Sequence, residues 1–197
     1  MKRVSFNAGA LLAPVPPALV SCGTEEIPNV LTIGWTGIIC TKPPMTYISV
    51  RPERHSYNII KQTGEFVINL PSENLCRSVD YCGVRSGKNT DKFSDCRLTP
   101  IKSEKVLSPS VAECPISLEC KVTEIKPLGS HDMFIAEIVN VSVNENLIDD
   151  NGRIDFSSAN LLAYSHGEHF SLGKKLGSFG YSVKKNKPKK HKKHRSS

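Results

Sequence analysis

The chain lacks most of the signatures by which enzymes declare themselves. No GxGxxG follows a strand-like run, no GxxxxGK[ST] loop occurs, and GxSxG and HExxH are both missing. Rossmann dinucleotide binding, Walker-type triphosphate binding, elbow-serine hydrolysis and zincin chemistry are thereby set aside. No run of about 20 apolar residues exists, so no membrane-spanning helix is expected. Cysteine pairs at metal spacing are also missing. Seven cysteines stand at Cys22, Cys40, Cys76, Cys82, Cys96, Cys114 and Cys120, none two residues from another. The gap shared by Cys76 to Cys82 and Cys114 to Cys120 fits no zinc or iron–sulfur pattern. They have no obvious His-Asn partner set for a thiol nucleophile, and most sit in apolar runs, where Cys packs as a small core residue. An odd number of such thiols fits a reducing, cytoplasmic setting. His166 and His169 flank Gly167-Glu168 without a metal spacing, and no metal site is expected. There is one tryptophan and no internal repeat.

The charge is unevenly divided along the chain. The chain has 197 residues and a net charge of +7, but Lys184 to Ser197 holds seven Lys, one Arg and no acid. Without those eight cations, 18 basic groups face 19 acidic ones in residues 1–183. The body is nearly neutral, so no protein-wide field for nucleic acid follows. The division expected is one domain over residues 1–183 and a basic tail over 184–197. With no apolar residue to bury, the tail is expected to be disordered. It either solubilises or makes weak, salt-sensitive contact with a polyanion such as nucleic acid.

The N-terminus mimics a signal peptide, with Lys2-Arg3, an apolar run and Leu19-Val20-Ser21-Cys22. Pro14, Pro16 and Pro17 break the run, because proline removes a helix hydrogen bond and clashes with the preceding turn. Ala18 to Cys22 is instead read as a first strand.

Strands dominate the remainder. Val30 to Cys40 and Met45 to Val50 read as a pair bridged by Thr41-Lys42-Pro43-Pro44, and Glu65 to Leu70 as a third run. Ile116 to Val122 alternates, with Ser117, Glu119 and Lys121 on the expected solvent face. Met133 to Val143 is apolar on both faces, as for a central or partner-covered strand. Pro127 to Asp132 makes the hairpin loop between them. A short helix is expected to open at Pro52, with Glu53 at the favourable dipole end and Gly64 as a left-handed cap. A second is expected over Ser72 to Tyr81 with Ser72 as its cap. Ser86 to Asp95 and Ser165 to Gly180 read as glycine-rich loops. Short strands with short helices between them imply a closed or nearly closed barrel.

The densest chemistry lies between Asn29 and Leu70. Trp35 sits in one strand, and the next strand runs into Arg51-Pro52-Glu53-Arg54-His55-Ser56. Together with Ser49, these side chains surround a helix start, whose free N–H groups attract anions. Arg offers a forked, permanently charged donor suited to phosphate. The plainer alternatives are an exposed charged turn pairing with Glu53 and a core tryptophan. Joined, the two features describe a site for a phosphorylated planar cofactor. The segment from Tyr81 to Phe93 is too polar for core; its glycines allow close approach to a ligand, and Lys92 could reach an anion from such a flap. His131 lies at a hairpin tip, where a surface histidine is the default.

These segments resemble a known family. The run TIGWTGIICTKPPMTYISVRPERHSYNIIKQTGEFVINLP is similar to the flavoredoxin branch of the flavin reductase-like proteins, FMN-binding split barrels. So are DYCGVRSGKNTDKF, AECPISLECKV, PLGSHDMFIAEI and AYSHGEHFSLGKKLGSFG, in order, from about Pro14 to Val183. The resemblance implies a mainly β, antiparallel Greek-key split barrel with a few short helices, dimeric, with FMN at or near the subunit interface. It places Asn29, Trp35, Thr36 and Gly37 beside the flavin ring. Ser49, Arg51, Arg54, His55 and Ser56 fall at the ribityl-phosphate end with Lys92, and His131 and Tyr164 approach the flavin. It implies an oxidoreductase, an NAD(P)H-dependent flavin or ferric reductase, with no obligatory acid–base residue. The alternative is a non-enzymatic electron carrier reduced by a protein partner. A binding module without redox work is a third class.

Overall fold

The computed structural model describes residues 1–184. Of the tail expected from Lys184 onward, everything past Lys184 lies outside the described residues. The strands are β1 (Ala18–Gly23), β2 (Pro28–Ile33), β3 (Thr36–Thr41), β4 (Pro44–Val50), β5 (Glu65–Leu70), β6 (Pro100–Ile101), β7 (Ser110–Val111), β8 (Ile116–Pro127), β9 (Asp132–Val143), β10 (Leu162–Ser165) and β11 (Glu168–Ser171). The helices are α1 (His55–Thr63), α2 (Cys76–Val84) and α3 (Lys92–Cys96). Seven strands form one antiparallel sheet in the order β2-β1-β5-β8-β9-β4-β3. Of three hairpins, β1–β2 is joined to β8–β9 through β5, and β3–β4 is joined to β8–β9 by direct pairing of β4 with β9.

The two outer strands of that sheet, β2 and β3, are consecutive in sequence, separated only by Gly34 and Trp35. Ile33 and Thr36 are three residue steps apart, a reach of roughly 11 Å at most, so the sheet must curl until its edges nearly meet. The result is a barrel split at Gly34-Trp35, tied there by the Ser49 N–H donating to the Trp35 carbonyl at 3.0 Å. The run expected as one strand from Val30 to Cys40 is therefore two, broken at the split. Irregularities at Glu119/Cys120 and Val122/Glu124 bend the long β8–β9 hairpin into the curve.

Inside the barrel pack Val20, Cys22, Leu31, Ile33, Ile48, Val50, Phe66 and Phe134, and α1 caps this core with Tyr57 and Ile60. The side-chain period of two sends Leu19 and Val30 to the other face, under Leu75, Val79 and Cys82 and against Phe93. That is why all six residues of β1 are buried.

Several expectations shift. Pro52 is not the first helical residue; α1 begins at His55 with Arg54 as cap, and Glu53 lies outside it. A turn there, with Arg54 N–H bonded to Arg51 O, satisfies the backbone first. Gly64 ends α1 at φ 67°, as expected. Ser72 precedes a 3-10 turn over Glu73–Leu75, and its hydroxyl bonds Asn74 instead of capping. The helix then runs on to Val84. The expected loops contain α3 and β11, because Asp91 caps a helical turn through Ser94 N–H and Gly167 supports a tight hairpin at φ 92°. On β8, Ser117 and Glu119 are buried instead of facing solvent, since the segment 103–111 folds over that side.

Candidate functional site

Where the barrel splits, a cleft of about 450 Å³ opens against α2. The end of β2 and the split supply Leu31 to Trp35, the end of β4 supplies Ser49 to Arg51, and α2 supplies Val79, Asp80, Gly83 and Val84. Pro17, Arg54, His131, Tyr164 and His169 complete the lining. As an edge strand, β2 pairs only with β1, so its other side offers backbone polar groups to the cleft. Trp35 is 44% exposed, so it is not a core residue. Its ring lies 4.5 Å from that of His131 at 43°. Burial, and secondly the Arg51 charge, hold the His131 imidazole below its ordinary range. It is neutral at pH 7 and can both donate and accept.

A second cavity of about 300 Å³ adjoins the first and shares Leu31, Thr32, Arg51, Arg54 and Gly83 with it. Here the lining turns cationic and hydroxylic: His55, Ser56, Arg85, Ser86 and Lys92, with Cys82, Gly87 and Glu53. The Arg54 Nη1 donates to Gly83 O at 3.1 Å, holding the guanidinium across the seam of the two cavities. Arg51 has an acid nearby, Glu53 at 3.6 Å, but both side chains are more than half exposed. Tyr57 O–H donates to Asp132 at 2.5 Å, which fixes α1, and so the 51–56 turn, against the start of β9 and His131.

The residues expected at this site divide into three groups. Trp35, Ser49, Arg51, Arg54, His131 and Tyr164 line the first cavity. Arg51, Arg54, His55, Ser56 and Lys92 line the second. Asn29, Thr36 and Gly37 line neither. Asn29 lies behind the second cavity, its Nδ2 donating to Ser56 Oγ at 2.5 Å and its Oδ1 filling the space where Gly87 would carry a Cβ. Thr36 and Gly37 lie in β3, where Thr36 Oγ1 donates to Tyr47 O at 2.5 Å and Gly37 approaches the Tyr47 ring. Lys92 is not on an exposed flap: it is 4% exposed, and its Nζ donates to Cys82 O at 3.3 Å and Arg85 O at 3.4 Å. Its third N–H is left for the cavity, and burial lowers its basicity. Sequence reasoning passed over Thr32, Asp80, Arg85 and His169, whereas Gly83 is one of the two Tyr81–Phe93 glycines it marked for close approach to a ligand. Asp80, Gly83 and Val84 share one face of α2 at helical spacing, a readable signal; nothing local marks His169.

The flavin reductase like domain matches residues 11–173. The chain belongs to this flavin reductase-like family. An uncharacterised protein of Archaeoglobus fulgidus is 31% identical over 171 residues, 87% of this chain and 95% of that protein. The structure of flavoredoxin from Desulfovibrio vulgaris (Miyazaki F) is similar at a TM-score of 0.85 and 32% identity, covering 93% of this chain and all of that one. The reductase component of a 4-nitrophenol 4-monooxygenase/4-nitrocatechol 2-monooxygenase from Rhodococcus opacus is 26% identical over 121 residues, 61% of this chain and 62% of that protein. Membership gives this flavin reductase-like chain a flavin-related redox function, and its mainly β architecture is that of the split-barrel flavin reductases. Among the described residues no cluster of His, Cys, Asp or Glu could hold a metal, and no helix is long and apolar enough to cross a membrane.

Proposed function

We propose that this chain is an FMN-binding flavoprotein that transfers reducing equivalents, acting as a cytoplasmic homodimer with NAD(P)H as electron donor. The observation that carries the reading is the continuity of the two cavities: an aromatic end and a cation-rich end share five residues. A ligand flat at one end and phosphorylated at the other meets both chemistries in one cleft. The donor set fits FMN, because the second cavity offers three arginines, a lysine and three hydroxyls against one acid. When bound, FMN supplies the redox chemistry.

The residues of the chain bind and orient. Arg51, Arg54, His55, Ser56 and Lys92 would hold the phosphate, with Asn29 setting the Ser56 hydroxyl from behind. Trp35, His131 and Tyr164 would border the ring, and Ser49 would fix the Trp35 backbone through its own N–H. Thr36 and Gly37 would act one step back, by seating β3 on β4. Neutral His131 offers a hydrogen bond without adding a charge at the ring end. Exposed Ile38, Ile39 and Val141 on the outer strand faces, 67%, 48% and 48% accessible, support a second copy as the covering partner. The free thiols, four of them buried, support the reducing compartment.

Denaturing the purified yellow protein is expected to release FMN. Anaerobic stopped-flow mixing with NADH or NADPH should bleach the yellow colour; a colourless protein that takes up no added FMN defeats the proposal. The likeness to flavoredoxin favours a second reading, an electron carrier reduced by a protein partner. Bleaching by reduced ferredoxin alone, with neither nicotinamide nucleotide active, would select it.

A further inference from the structure

Two thiols face each other across the joint between α2 and α3. Cys82 Sγ lies 3.9 Å from Cys96 Sγ. Cys82 is 1% exposed, whereas Cys96 is half-buried and borders a separate open cavity of about 560 Å³. That cavity is lined by Arg77, Ser78, Tyr81, Asp95, Cys96 and Arg97. Tyr81 O–H donates to Asp95 at 2.7 Å, so the single acid is already engaged, while two arginines flank the thiol. Seen from solvent, Cys96 is the reachable sulfur in a cationic recess and Cys82 is the sulfur behind it.

We infer that Cys82 and Cys96 form a redox-active dithiol that reacts with an anionic low-molecular-weight disulfide and thereby loosens the flavin. The Cys96 thiolate attacks one sulfur of the small disulfide, forming a mixed disulfide and releasing one thiolate. Cys82 then gives its proton to solvent and attacks Cys96 Sγ, releasing the second thiolate. Two protein thiols are oxidised, the small disulfide is reduced to two thiols, and the two protein protons complete the balance. The order follows from access, since only Cys96 reaches the open recess; burial, and secondly the neighbouring Cys96, push the Cys82 thiol up to about 12, which disfavours it as the first attacker.

The consequence for the cleft rests on the reading of its cation-rich end as the phosphate site. Cys82 lines that cavity too, and its carbonyl accepts from the Lys92 ammonium. Lys92 opens α3 and Cys96 closes it, so one covalent bond would draw the end of α2 onto the helix that carries Lys92. Arg54 is bonded to Gly83, the next residue, and would move with it.

The full-length protein would be treated with oxidised glutathione or with cystamine, a cationic disulfide, and mapped by peptide mass. The expected product is a Cys82–Cys96 disulfide, formed faster with glutathione, with FMN binding about tenfold weaker, the loss of about one charge-assisted contact, and restored by dithiothreitol. C96S should bind FMN like the wild type and show no change with oxidant, and C82S should stop at a glutathione adduct on Cys96. No 82–96 linkage, an equal rate with cystamine, or full FMN affinity in the linked protein would each overturn the inference. Failure of the reduced wild type to bind FMN would defeat the phosphate-site reading instead, with the linkage still scored by mass.

Discussion

Asn69 on β5 and Arg54 at the cap of α1 are both polar side chains held against backbone, but on opposite terms. Asn69 is fully buried; its amide donates to Leu19 O at 2.8 Å and Ser21 Oγ at 2.9 Å, while its oxygen accepts from Val111 N and Ser117 Oγ. Beside it, the buried Glu119 carboxylate accepts from the backbone of Glu104 and Lys105 and from Asn140. Among the described residues no buried side-chain polar atom lacks a partner. In the cleft, Arg54 uses one of five N–H groups on Gly83, and neither it nor Arg85 has an acid within ion-pair distance among the described residues. Donors matched one to one inside a wall specify the wall; donors left over at a cleft specify what enters it.

The comparison predicts that the two regions fail differently. Asn69→Ala should have the largest effect, about 3 kcal/mol of stability, because it strands two buried donors and a carbonyl. Urea unfolding should show it, with FMN affinity of the folded protein unchanged; an unshifted midpoint would break the contrast at its root. Arg54→Ala should instead weaken FMN binding by about 1.5–3 kcal/mol at low salt, and the difference should shrink as ionic strength rises. Its flavin-free stability should stay within about 0.5 kcal/mol of wild type; a large loss would make Arg54 part of the wall. Trp35→Ala should cost FMN binding less, about 0.5–1.5 kcal/mol, and titration in added salt should leave that loss unmoved. A salt-dependent loss would erase the distinction between the two ends of the cleft.

The smallest effect concerns pH. Burial holds the His131 base below its unfolded value of about 6.5, so folding favours the neutral ring. Its contribution is complete above that value and is lost as pH falls from it toward the lower folded pKa. His131→Gln should flatten this part of the stability curve, measured by thermal melting between about pH 7 and 5. An identical acid slope in the variant would remove His131 as its source.

Much of this was legible because it is local. Residues 51–56 are neighbours in sequence and remain neighbours at the cleft whatever the rest does, so the cationic end could be named early. Gly64 as a cap and Glu65–Leu70 as a strand were equally readable from turn chemistry and pattern. The start of α1 was not, because the turn over Arg51–Arg54 competes with helix for the same backbone groups. Lys92 was read as a flap residue on polarity alone, but its ammonium is buried on two carbonyls that only the packing of α3 against α2 supplies. Ser117 and Glu119 alternate in sequence as if exposed, and the alternation is real; what covers them comes from 103–111.

By itself the sequence determined which residues share a face, where chains turn, and that phosphate-type donors cluster before α1, since these depend on backbone periods and contacts within a few residues. Only the tertiary structure decided that Trp35 meets His131, that Cys82 faces Cys96, and that Asn29 stands behind Ser56 while Thr36 and Gly37 stay in the wall. The first of these follows from closing seven strands across a two-residue gap, and the meeting of Cys82 with Cys96 from packing α3 against α2. Such closure is a property of the whole sheet, and a hydrophobic period says which side is buried without saying against what.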